Sequence, residues 1–335
     1  MINTALFVVH AGEGIGLGHL TRSLVAARAL TLKLGLIVDF VAVGENIDRR
    51  FVDETRVKFL SVSDDIDTVI SRISATSNYS LICLDLFNSL LTGSLRLALQ
   101  RLKKKGAAIV GIDSLPGFED LLDLLYVPSF LPPANIAPGA VDLAYGWDAY
   151  LLNVPNERTR SIEPKSALIL TGGSDVTNLG SDLPLKLASN LAYGSVVRYV
   201  TGPYSPSPKF PSSSNVRFIE HIAPTGLSEL MNRAEVALTV FGVSFFELAA
   251  VGVPTVVFSP YGDKDIRELK EIEKQGIAVV ANNVNDAVEK TSLLQNDSAL
   301  RGKLSKGVKN RFQSFHGDYF VQEVEKLMNI NRCSS

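Results

Sequence analysis

A glycine-rich stretch near the start of the chain, residues 12–22 (GEGIGLGHLTR), holds the side chain best suited to acid–base chemistry. The stretch follows an apolar run, residues 5–9, and precedes a helical spacing of leucines and alanines, which predicts a turn between a strand and a helix. Its four glycines can adopt positive φ and let a phosphate or a sugar approach the backbone amides closely. His19 would then stand on the first helical turn, where an imidazole could take or give a proton.

The turn by itself also fits a purely structural connection. Glycine-rich turns after a first strand are common in α/β proteins, and a histidine near the start of a helix is often a packing or capping residue. The spacing matches neither the dinucleotide fingerprint G-x-G-x-x-G nor a P-loop, which ends in Gly-Lys followed by Ser or Thr. A ligand site and a tight turn are therefore both open from these residues alone.

Composition restricts the class of protein before any other motif is considered. With 335 residues and 46% hydrophobic side chains the chain can build two ordinary cores, and its net charge of −2 leaves no basic surplus for nucleic acid. Cys83 lies in an apolar run and Cys333 in a polar tail, so no disulfide is expected. No cysteine or histidine cluster has metal-ligand spacing, and no apolar stretch is long enough to span a membrane. The sequence therefore predicts a cytoplasmic protein with no metal cofactor and no transmembrane segment.

Strands and helices alternate along the first half of the chain, which predicts a doubly wound parallel sheet. Two aspartates end predicted strands, because Asp85 closes the run 81–86 and Asp113 follows the run 107–112. Ligands of such sheets bind at the carboxyl ends of the strands, the edge where the glycine turn also lies. Each aspartate could equally be a helix N-cap or a turn residue.

The periodicity weakens between residues 126 and 164, where prolines accumulate, and this region marks a domain boundary. A second alternating series of strands and helices begins near residue 167. We therefore expect an α/β protein of two Rossmann-like, doubly wound domains that face each other. The expected parts are a first domain (1–152), a linker (153–165), a second domain (166–310), and a terminal helix with a tail (311–335) that could pack back on the first domain.

The stretch 240–254 (VFGVSFFELAAVGVP) predicts a second helix start that could bind a ligand. An apolar strand ends at Gly242, and a helix begins near Ser244 with Glu247 on its first turn. Free amides at this helix start could bind an anion, and Glu247 could accept hydrogen bonds from a diol such as a ribose. Ser244 and Glu247 also fit the S-x-x-E capping box, and the two roles of Glu247 do not exclude each other.

Three segments, in this order, resemble nucleotide-sugar enzymes of the GT-B fold: IGLGHLTR (15–22), GGSDVTNL (172–179) and VSFFELAAVGVP (243–254). The pattern is most similar to the UDP-sugar hydrolases of pseudaminic acid biosynthesis and their spore-coat polysaccharide relatives. It resembles more distantly the N-acetylglucosaminyl transferases that make the peptidoglycan lipid precursor. The resemblance covers residues 5–281 and implies two Rossmann-like domains with the substrate in the cleft between them.

This resemblance implies a role for each motif residue. His19 would be the catalytic base in the first domain, and no metal would be needed because amide dipoles hold the leaving group. The second domain would bind the nucleotide, with uracil as its base. The substrate-binding residues implied are Gly16 and Gly18 near the diphosphate or sugar, Gly173 and Ser174 beside the nucleotide, Ile219 at the base through its backbone, Gly242, Val243 and Ser244 at the diphosphate, and Glu247 on the ribose. Arg22, in the first motif, and Asp85, at the ligand edge of the sheet, are the further substrate-binding candidates of the first domain.

Two positions depart from the hydrolase pattern. The Asn-Gln pair that follows the last ligand-binding helix in that family is replaced here by residues 262–265 (GDKD). The family's Asp-His-Tyr at the end of the fourth strand is replaced by Asp85, Leu86 and Phe87. The resemblance therefore implies the fold more strongly than it implies the sugar.

The main functional expectation is hydrolysis of a UDP-sugar to free sugar and UDP, with water activated by His19, in surface-polysaccharide or nonulosonic-acid biosynthesis. One alternative is a glycosyltransferase that moves the sugar to a glycan or lipid acceptor. The apolar stretch 121–131 is a candidate acceptor surface, although buried packing explains that stretch better. The second alternative is a binding protein for nucleotide sugars without catalysis.

Overall fold

The described part of the chain forms two parallel sheets, one in each of two units. The computed structural model describes residues 4–45, 47, 50, 58–62, 66–76, 78–113, 115–134, 136–137, 139–154, 160–309, 311–312 and 316–333. The first unit comprises Met1–Asn153 and Ser314–Ser335, and the second comprises Val154–Gln313. The last helix of the chain thus belongs to the first unit.

Among the described residues the first unit contains seven strands and four α-helices. Its strands are β1 (Thr4–His10), β2 (Ile37–Val43), β3 (Lys58–Val62), β4 (Leu81–Asp85), β5 (Ala108–Ile112), β6 (Leu124–Tyr126) and β7 (Leu143–Ala144), and its helices are α1 (Gly18–Leu34), α2 (Ile66–Thr76), α3 (Gly93–Lys104) and α10 (Asp318–Cys333). The strands form one sheet in the order β3-β2-β1-β4-β5-β6-β7. The order reverses between β1 and β4, which is the place where ligands enter a doubly wound sheet.

Strands β6 and β7 are missing from the sequence prediction, which places no strand between the run 107–112 and the second series that begins near residue 167. With three and two residues these strands are too short to show an alternating pattern. Their neighbours hold them in the sheet instead, because Gly111 of β5 pairs with Leu125, and Leu125 pairs with Leu143. This part of the first unit is therefore specified by tertiary pairing rather than by local periodicity.

Apolar side chains cover both faces of the central strand β1. On one face the ring of Phe7 stacks on Phe40 at 5.7 Å and lies 6.4 Å from Phe320 of α10. On the other face Leu6 and Val8 belong to a separate apolar layer. A strand that is buried on both faces needs apolar side chains at successive positions, which explains the continuous apolar sequence of β1.

The apolar stretch 121–131 is internal and does not form the acceptor surface considered from the sequence. Leu121, Leu122 and Leu125 are between 1% and 6% exposed, and they pack in the same layer as Leu99 of α3. Buried packing, the explanation that the sequence favours for this stretch, is confirmed, because these leucines fill the apolar layer between the sheet and α3.

The second unit contains six strands and six helices among the described residues. The strands are β8 (Ser166–Leu170), β9 (Val196–Thr201), β10 (Arg217–Ile222), β11 (Val236–Val240), β12 (Thr255–Phe258) and β13 (Val279–Val280), and the helices are α4 (Leu183–Asn190), α5 (Ser228–Arg233), α6 (Val243–Val251), α7 (Ile266–Lys274), α8 (Val284–Asn296) and α9 (Ser298–Lys309). The sheet has the order β10-β9-β8-β11-β12-β13, with the same central reversal as in the first unit. None of the helices in the described ranges of the chain is long and apolar enough to cross a membrane.

Candidate active site

The glycine turn after β1 is shaped by a close passage between two strand ends. Gly12, in the turn, and Gly44, just after β2, have φ of +126° and +142°, which L side chains rarely adopt. A Cβ on Gly12 would lie 2.2 Å from the carbonyl oxygen of Glu45, and one on Gly44 would lie 1.9 Å from that of Ala11. The turn itself therefore requires glycine at these two positions.

Most of the backbone amides in this turn are already hydrogen bonded, which corrects the expectation that they are free for a ligand. The amides of Ala11 and Glu13 donate to carbonyls at the end of β2 and just beyond it, and the amide of Gly16 donates to Gly12 at 2.8 Å. Gly16 therefore serves the turn through this hydrogen bond and through its positive φ of +86°, and its amide is not free for a ligand. Gly18 begins α1, and its amide is one of those that a helix start leaves without an intrahelical partner.

Three side chains on one face of α1 meet a single carboxylate. His19, Arg22 and Ser23 are spaced i, i+3 and i+4, so they share one face of the helix, and Asp85 at the end of β4 lies opposite that face. Nδ1 of His19 is 2.5 Å from Oδ1 of Asp85, and the hydroxyl of Ser23 donates to Oδ2 at 2.8 Å. Arg22 donates through Nε to Oδ2 at 2.7 Å and through Nη2 to Oδ1 at 2.6 Å. Both oxygens of Asp85 are thus held.

The hydrogen bonds determine which nitrogen of His19 carries a proton. The Nη2 group of Arg22 has two hydrogens, and two carboxylates accept them, Asp85 at 2.6 Å and Asp113 at 2.9 Å. The 2.9 Å approach of this Nη2 to Nδ1 of His19 therefore has no hydrogen left to share. We assign the hydrogen between Nδ1 and Asp85 to the imidazole, because two bare acceptors would repel each other at that distance. Nε2 of His19 then keeps its lone pair and can accept a proton.

Asp85 is completely buried and is held in its charged form. Burial alone would raise the pKa of Asp85, but the charge and hydrogen bonds of Arg22, and then those of His19, outweigh it and hold the pKa well below its usual range. Burial would likewise lower the pKa of Arg22, and the carboxylates of Asp85 and Asp113 outweigh that effect and raise it. A permanent carboxylate therefore stands beside His19, ready to stabilise an imidazolium.

The side chains of Asp85 and Arg22, which the sequence analysis counts among the substrate-binding residues, contact each other, and their contact with a substrate stays a prediction. Asp85 has no exposed surface, and the guanidinium of Arg22 is directed at Asp85 and Asp113. Asp85 does not cap a helix either, because the next single-turn helix, Asn88–Leu90, has Phe87 at its N-cap. Asp113 has a φ of +75°, and its side chain is 46% exposed.

A second histidine, absent from the sequence prediction, ends strand β1. Its neighbour Val9 pairs with Asp85, so His10 lies one residue beyond the level of that aspartate. The ring of His10 is 6.4 Å from the ring of Phe87, and burial, followed by the charge of His19, lowers the pKa of His10. The available sequence signal was its position, because His10 is the last residue of the first strand and directly precedes the turn.

In the second unit a turn of small residues follows β8. Gly202, directly after β9, lies against this turn, and a Cβ on Gly202 would be 2.4 Å from the carbonyl oxygen of Gly173. The carboxylate of Asp175 stabilises the turn by accepting hydrogen bonds from the backbone amides of Leu179 and Gly180 at 2.9 and 2.8 Å. The hydroxyl of Ser174 is buried and has no hydrogen-bond partner among the described residues. Ser174 thus brings an unused polar group to the carboxyl end of the second sheet.

Helix α6 begins at Val243, with Gly242 as an N-cap in extended backbone and without a side-chain cap. The capping box considered from the sequence therefore does not form, because Ser244 lies within the first turn of the helix. The amides of Val243 and Ser244 have no partner within the helix, which is the condition for an anion site. Glu247 lies further along the helix and is 7% exposed, and its contact with a ribose stays a prediction.

Ile219 lies in β10, the strand at one edge of the second sheet. In the described part of the chain β10 pairs with β9 alone, where Ile219 is opposite Arg198. An edge strand has one row of backbone groups without a strand partner. Recognition of a base through the backbone of Ile219 stays a prediction that this edge position allows.

The charged groups at the site of the first unit are the guanidinium of Arg22 and the carboxylates of Asp85 and Asp113. Among the residues that the structure describes, no three His, Cys, Asp or Glu side chains are grouped so as to hold a metal ion. Cys83 is a buried free thiol in β4, on the strand that carries Asp85.

Solved structures match almost the whole chain. MurG from Acinetobacter baumannii is 15% identical with a TM-score of 0.66, and the match covers 97% of this chain and 99% of that one. UGT2 from Phytolacca americana, complexed with UDP-2-fluoro-glucose and pterostilbene, is 12% identical with a TM-score of 0.64 and coverages of 98% and 99%. The spinosyn forosaminyltransferase SpnP is 15% identical with a TM-score of 0.66 and coverages of 98% and 100%.

Sequence comparison adds nothing to these matches, because no protein-family model and no curated protein matches this chain. At such low identities the solved structures are informative about the fold alone. The chain has the GT-B fold, with two Rossmann-like α/β units.

Proposed function

We propose that this chain is a glycosyltransferase that moves a sugar from a nucleotide sugar, first of all a UDP-sugar, to an acceptor hydroxyl. The observation that carries the proposal is the pair of His19 and Asp85, whose Nδ1 and Oδ1 are 2.5 Å apart. The side chain of His19 is 19% exposed and that of Asp85 is fully buried, so the imidazole can meet a substrate while its partner cannot. Such a pair at the carboxyl edge of a Rossmann-like unit suits removal of a proton from a hydroxyl.

The reaction is a displacement at the anomeric carbon of the donor sugar. Nε2 of His19 takes the proton of the acceptor hydroxyl, the acceptor oxygen bonds to the anomeric carbon, and the bond from that carbon to the diphosphate oxygen breaks. Asp85 stabilises the imidazolium that forms, and Arg22 keeps Asp85 ionised. The nucleoside diphosphate leaves with the electron pair, and the first-turn amides of α6 would hold its charge.

Nucleotide binding is assigned to the second unit. The buried hydroxyl of Ser174, the edge-strand backbone at Ile219 and the carboxylate of Glu247 supply groups suited to a nucleotide's phosphate, base and ribose, respectively. A chain of the same fold, UGT2, is complexed with UDP-2-fluoro-glucose, which supports a UDP-sugar as the first donor to test.

Transfer is favoured over hydrolysis because a forosaminyltransferase, SpnP, shares the fold over the full chain. Hydrolysis is the second candidate, because the three motif segments resemble UDP-sugar hydrolases and water could replace the acceptor over His19. Residues 262–265 (GDKD), which stand in place of the hydrolase family's Asn-Gln pair, weigh against it. Activity in the cytoplasm on surface polysaccharides would fit either reaction.

Thermal unfolding in the presence of nucleotides tests the donor site. UDP or a UDP-sugar at about one hundred times its dissociation constant should stabilise the folded protein by about 2.7 kcal/mol and raise its melting temperature. Glu247→Gln should weaken this shift, whereas Glu229→Gln, in the exposed first turn of α5, should leave it unchanged. The donor assignment is overturned if no nucleoside diphosphate or nucleotide sugar shifts the melting temperature.

Product analysis then separates the reactions. Release of UDP only after addition of an acceptor, with the sugar recovered on that acceptor, supports transfer. Release of UDP and free sugar in buffer alone supports hydrolysis. Tight binding of the nucleotide sugar without any release supports a binding protein without catalysis.

A further inference from the structure

His10 stands at the carboxyl end of β1, beside the site that contains His19. His10 follows Val9, which pairs with Asp85, the residue whose carboxylate lies 2.5 Å from Nδ1 of His19. The ring of Phe87, 47% exposed, lies 6.4 Å from that of His10. None of the groups that hold Asp85 comes from His10, because Arg22, Ser23 and His19 provide them all. His10 is therefore beside the catalytic network and not part of it.

The two ring nitrogens of His10 differ in their surroundings. Nδ1 is buried without a hydrogen-bond partner among the described residues, whereas Nε2 is not among the buried unpartnered atoms. A buried N–H without an acceptor is rarer in proteins than a buried acceptor without a donor. The proton of a neutral imidazole is therefore better placed on Nε2, the nitrogen through which this ring can meet a ligand.

The neutral form of His10 is favoured at neutral pH. Burial and the charge of His19 both lower the pKa of His10. When His19 gains a proton during the reaction, its positive charge disfavours protonation of His10 further. His10 therefore offers an N–H donor without a charge, while His19 offers a lone pair.

We propose that His10 and His19 present opposite tautomers to the substrate, and that Nε2–H of His10 donates a hydrogen bond to an acceptor oxygen next to the hydroxyl that His19 deprotonates. The inference rests on the proposed function and deepens it. A lone pair beside an N–H donor is complementary to two neighbouring hydroxyls. The acceptor class is thus a sugar or another polyol with a vicinal diol.

The tautomers can be measured directly on the full chain. Two-bond ¹H–¹⁵N correlation spectra at pH 7 distinguish imidazoles protonated at Nδ1 from those protonated at Nε2. The chain has four histidines, and spectra of His10→Gln and His19→Gln assign the two signals by their loss. We expect Nε2–H for His10 and Nδ1–H for His19. A doubly protonated His10, or one with Nδ1–H, overturns the inference whatever the activity of the enzyme.

Variants of His10 test the contact with the acceptor. The side-chain amide of Gln places its nitrogen near the position of Nε2, that of Asn places it near Nδ1, and Phe keeps the ring without a donor. With a methyl glycoside that carries a vicinal diol as the acceptor, His10→Phe and His10→Asn should lower kcat/KM roughly tenfold, and His10→Gln should restore most of it. The deoxy analogue without the neighbouring hydroxyl should be used equally by the wild type and by His10→Phe.

The outcomes separate this inference from the proposed function. If the wild type transfers sugar and His10→Phe still prefers the diol to its deoxy analogue as strongly as the wild type does, His10 makes no such contact and only this inference fails. If the wild type consumes no nucleotide sugar, the proposed function fails, and the acceptor assigned to His10 fails with it.

Discussion

His19, Arg22 and Ser23 act together because a single turn of α1 places them over one carboxylate. The sequence predicts His19 as a base from its place after the glycine turn, and the structure provides it with Asp85 as a partner at 2.5 Å. Asp85 is 66 residues away along the chain, so its role depends on the pairing of β4 with β1. Sequence reasoning could place Asp85 at the ligand edge of the sheet, but it could not show that three side chains would occupy its oxygens.

Replacement of Asp85 by Asn should remove most of the activity while it preserves the shape of the side chain. An amide neither fixes the tautomer of His19 nor neutralises the imidazolium, so we expect kcat to fall roughly 1,000-fold to 10,000-fold. Asp113→Asn is the matched control, because it removes one of the two carboxylates that contact Arg22 but leaves Asp85 in place. It should lower kcat less than about tenfold. Steady-state rates for both variants measure the difference, and equal losses would contradict the role given to Asp85.

The same carboxylate should make the stability of the first unit depend on acid. Because the pKa of Asp85 is lowered in the folded chain, its stabilising effect is present above the unfolded pKa of about 3.9 and is lost as the pH falls through the lower folded value. Asp85→Asn should reduce the free energy of unfolding by about 3 kcal/mol at pH 7 and by less at pH 2.

Urea unfolding at the two pH values measures this effect. Fluorescence of Trp147, the one tryptophan of the chain, follows the first unit because it lies there, with its ring stacked on Phe130 at 4.6 Å. A loss of stability that is the same at both pH values would show that Asp85 is not charged in the folded protein.

At the scale of elements, some glycines in the turn between β1 and α1 are required more strictly than others. Gly12→Ala forces a Cβ to within 2.2 Å of the carbonyl oxygen of Glu45, and we expect it to cost about 3 kcal/mol or more of unfolding free energy. Gly14→Ala is the control, because Gly14 also has positive φ but no atom within 4 Å of the added Cβ, and it should cost about 1 kcal/mol. Urea unfolding of both variants provides the comparison, and similar costs would mean that the close passage is not rigid.

Element boundaries show what local patterns could and could not reveal. Strands β1, β4 and β5 match the predicted apolar runs 5–9, 81–86 and 107–112 closely, because their residues are buried on both faces. The capping box at α6 does not form, because the helix begins at Val243 and extended Gly242 replaces a side-chain cap. The amides of the first glycine turn are mostly paired, because the turn packs against the end of β2. Backbone partners from distant strands decide such details, and a local pattern does not contain them.

At the scale of the whole molecule, the last helix completes the core of the first unit. Phe320 of α10 is fully buried and meets Tyr126 of β6 edge to face, with ring centroids 4.9 Å apart. Phe320→Ala should therefore destabilise the first unit by about 3 to 5 kcal/mol. Leu327→Ala, on the same helix but only partly buried, should destabilise the first unit less than Phe320→Ala does. Urea unfolding followed by Trp147 fluorescence measures both, and an unchanged midpoint for Phe320→Ala would mean that α10 does not stabilise this unit.

The α/β class and the two Rossmann-like units could be predicted because the alternation of strands and helices repeats twice along the chain. Solved structures at 10% to 16% identity share this fold, which shows that the layered pattern is retained when most side chains differ. The reaction could not be predicted with the same certainty, because water and an acceptor hydroxyl would require the same base. That choice depends on the acceptor, and His10 is the residue of the first unit that we expect to recognise it.

The central claim is that His19 removes the proton of the attacking hydroxyl. Single-turnover release of UDP from a UDP-sugar, with a saturating acceptor, measures this step in the wild type and in His19→Ala, while thermal shifts by UDP show that donor binding is intact. We expect His19→Ala to bind UDP as the wild type does and to release UDP at least roughly 1,000 times more slowly. Equal rates of release in the two proteins would contradict the account.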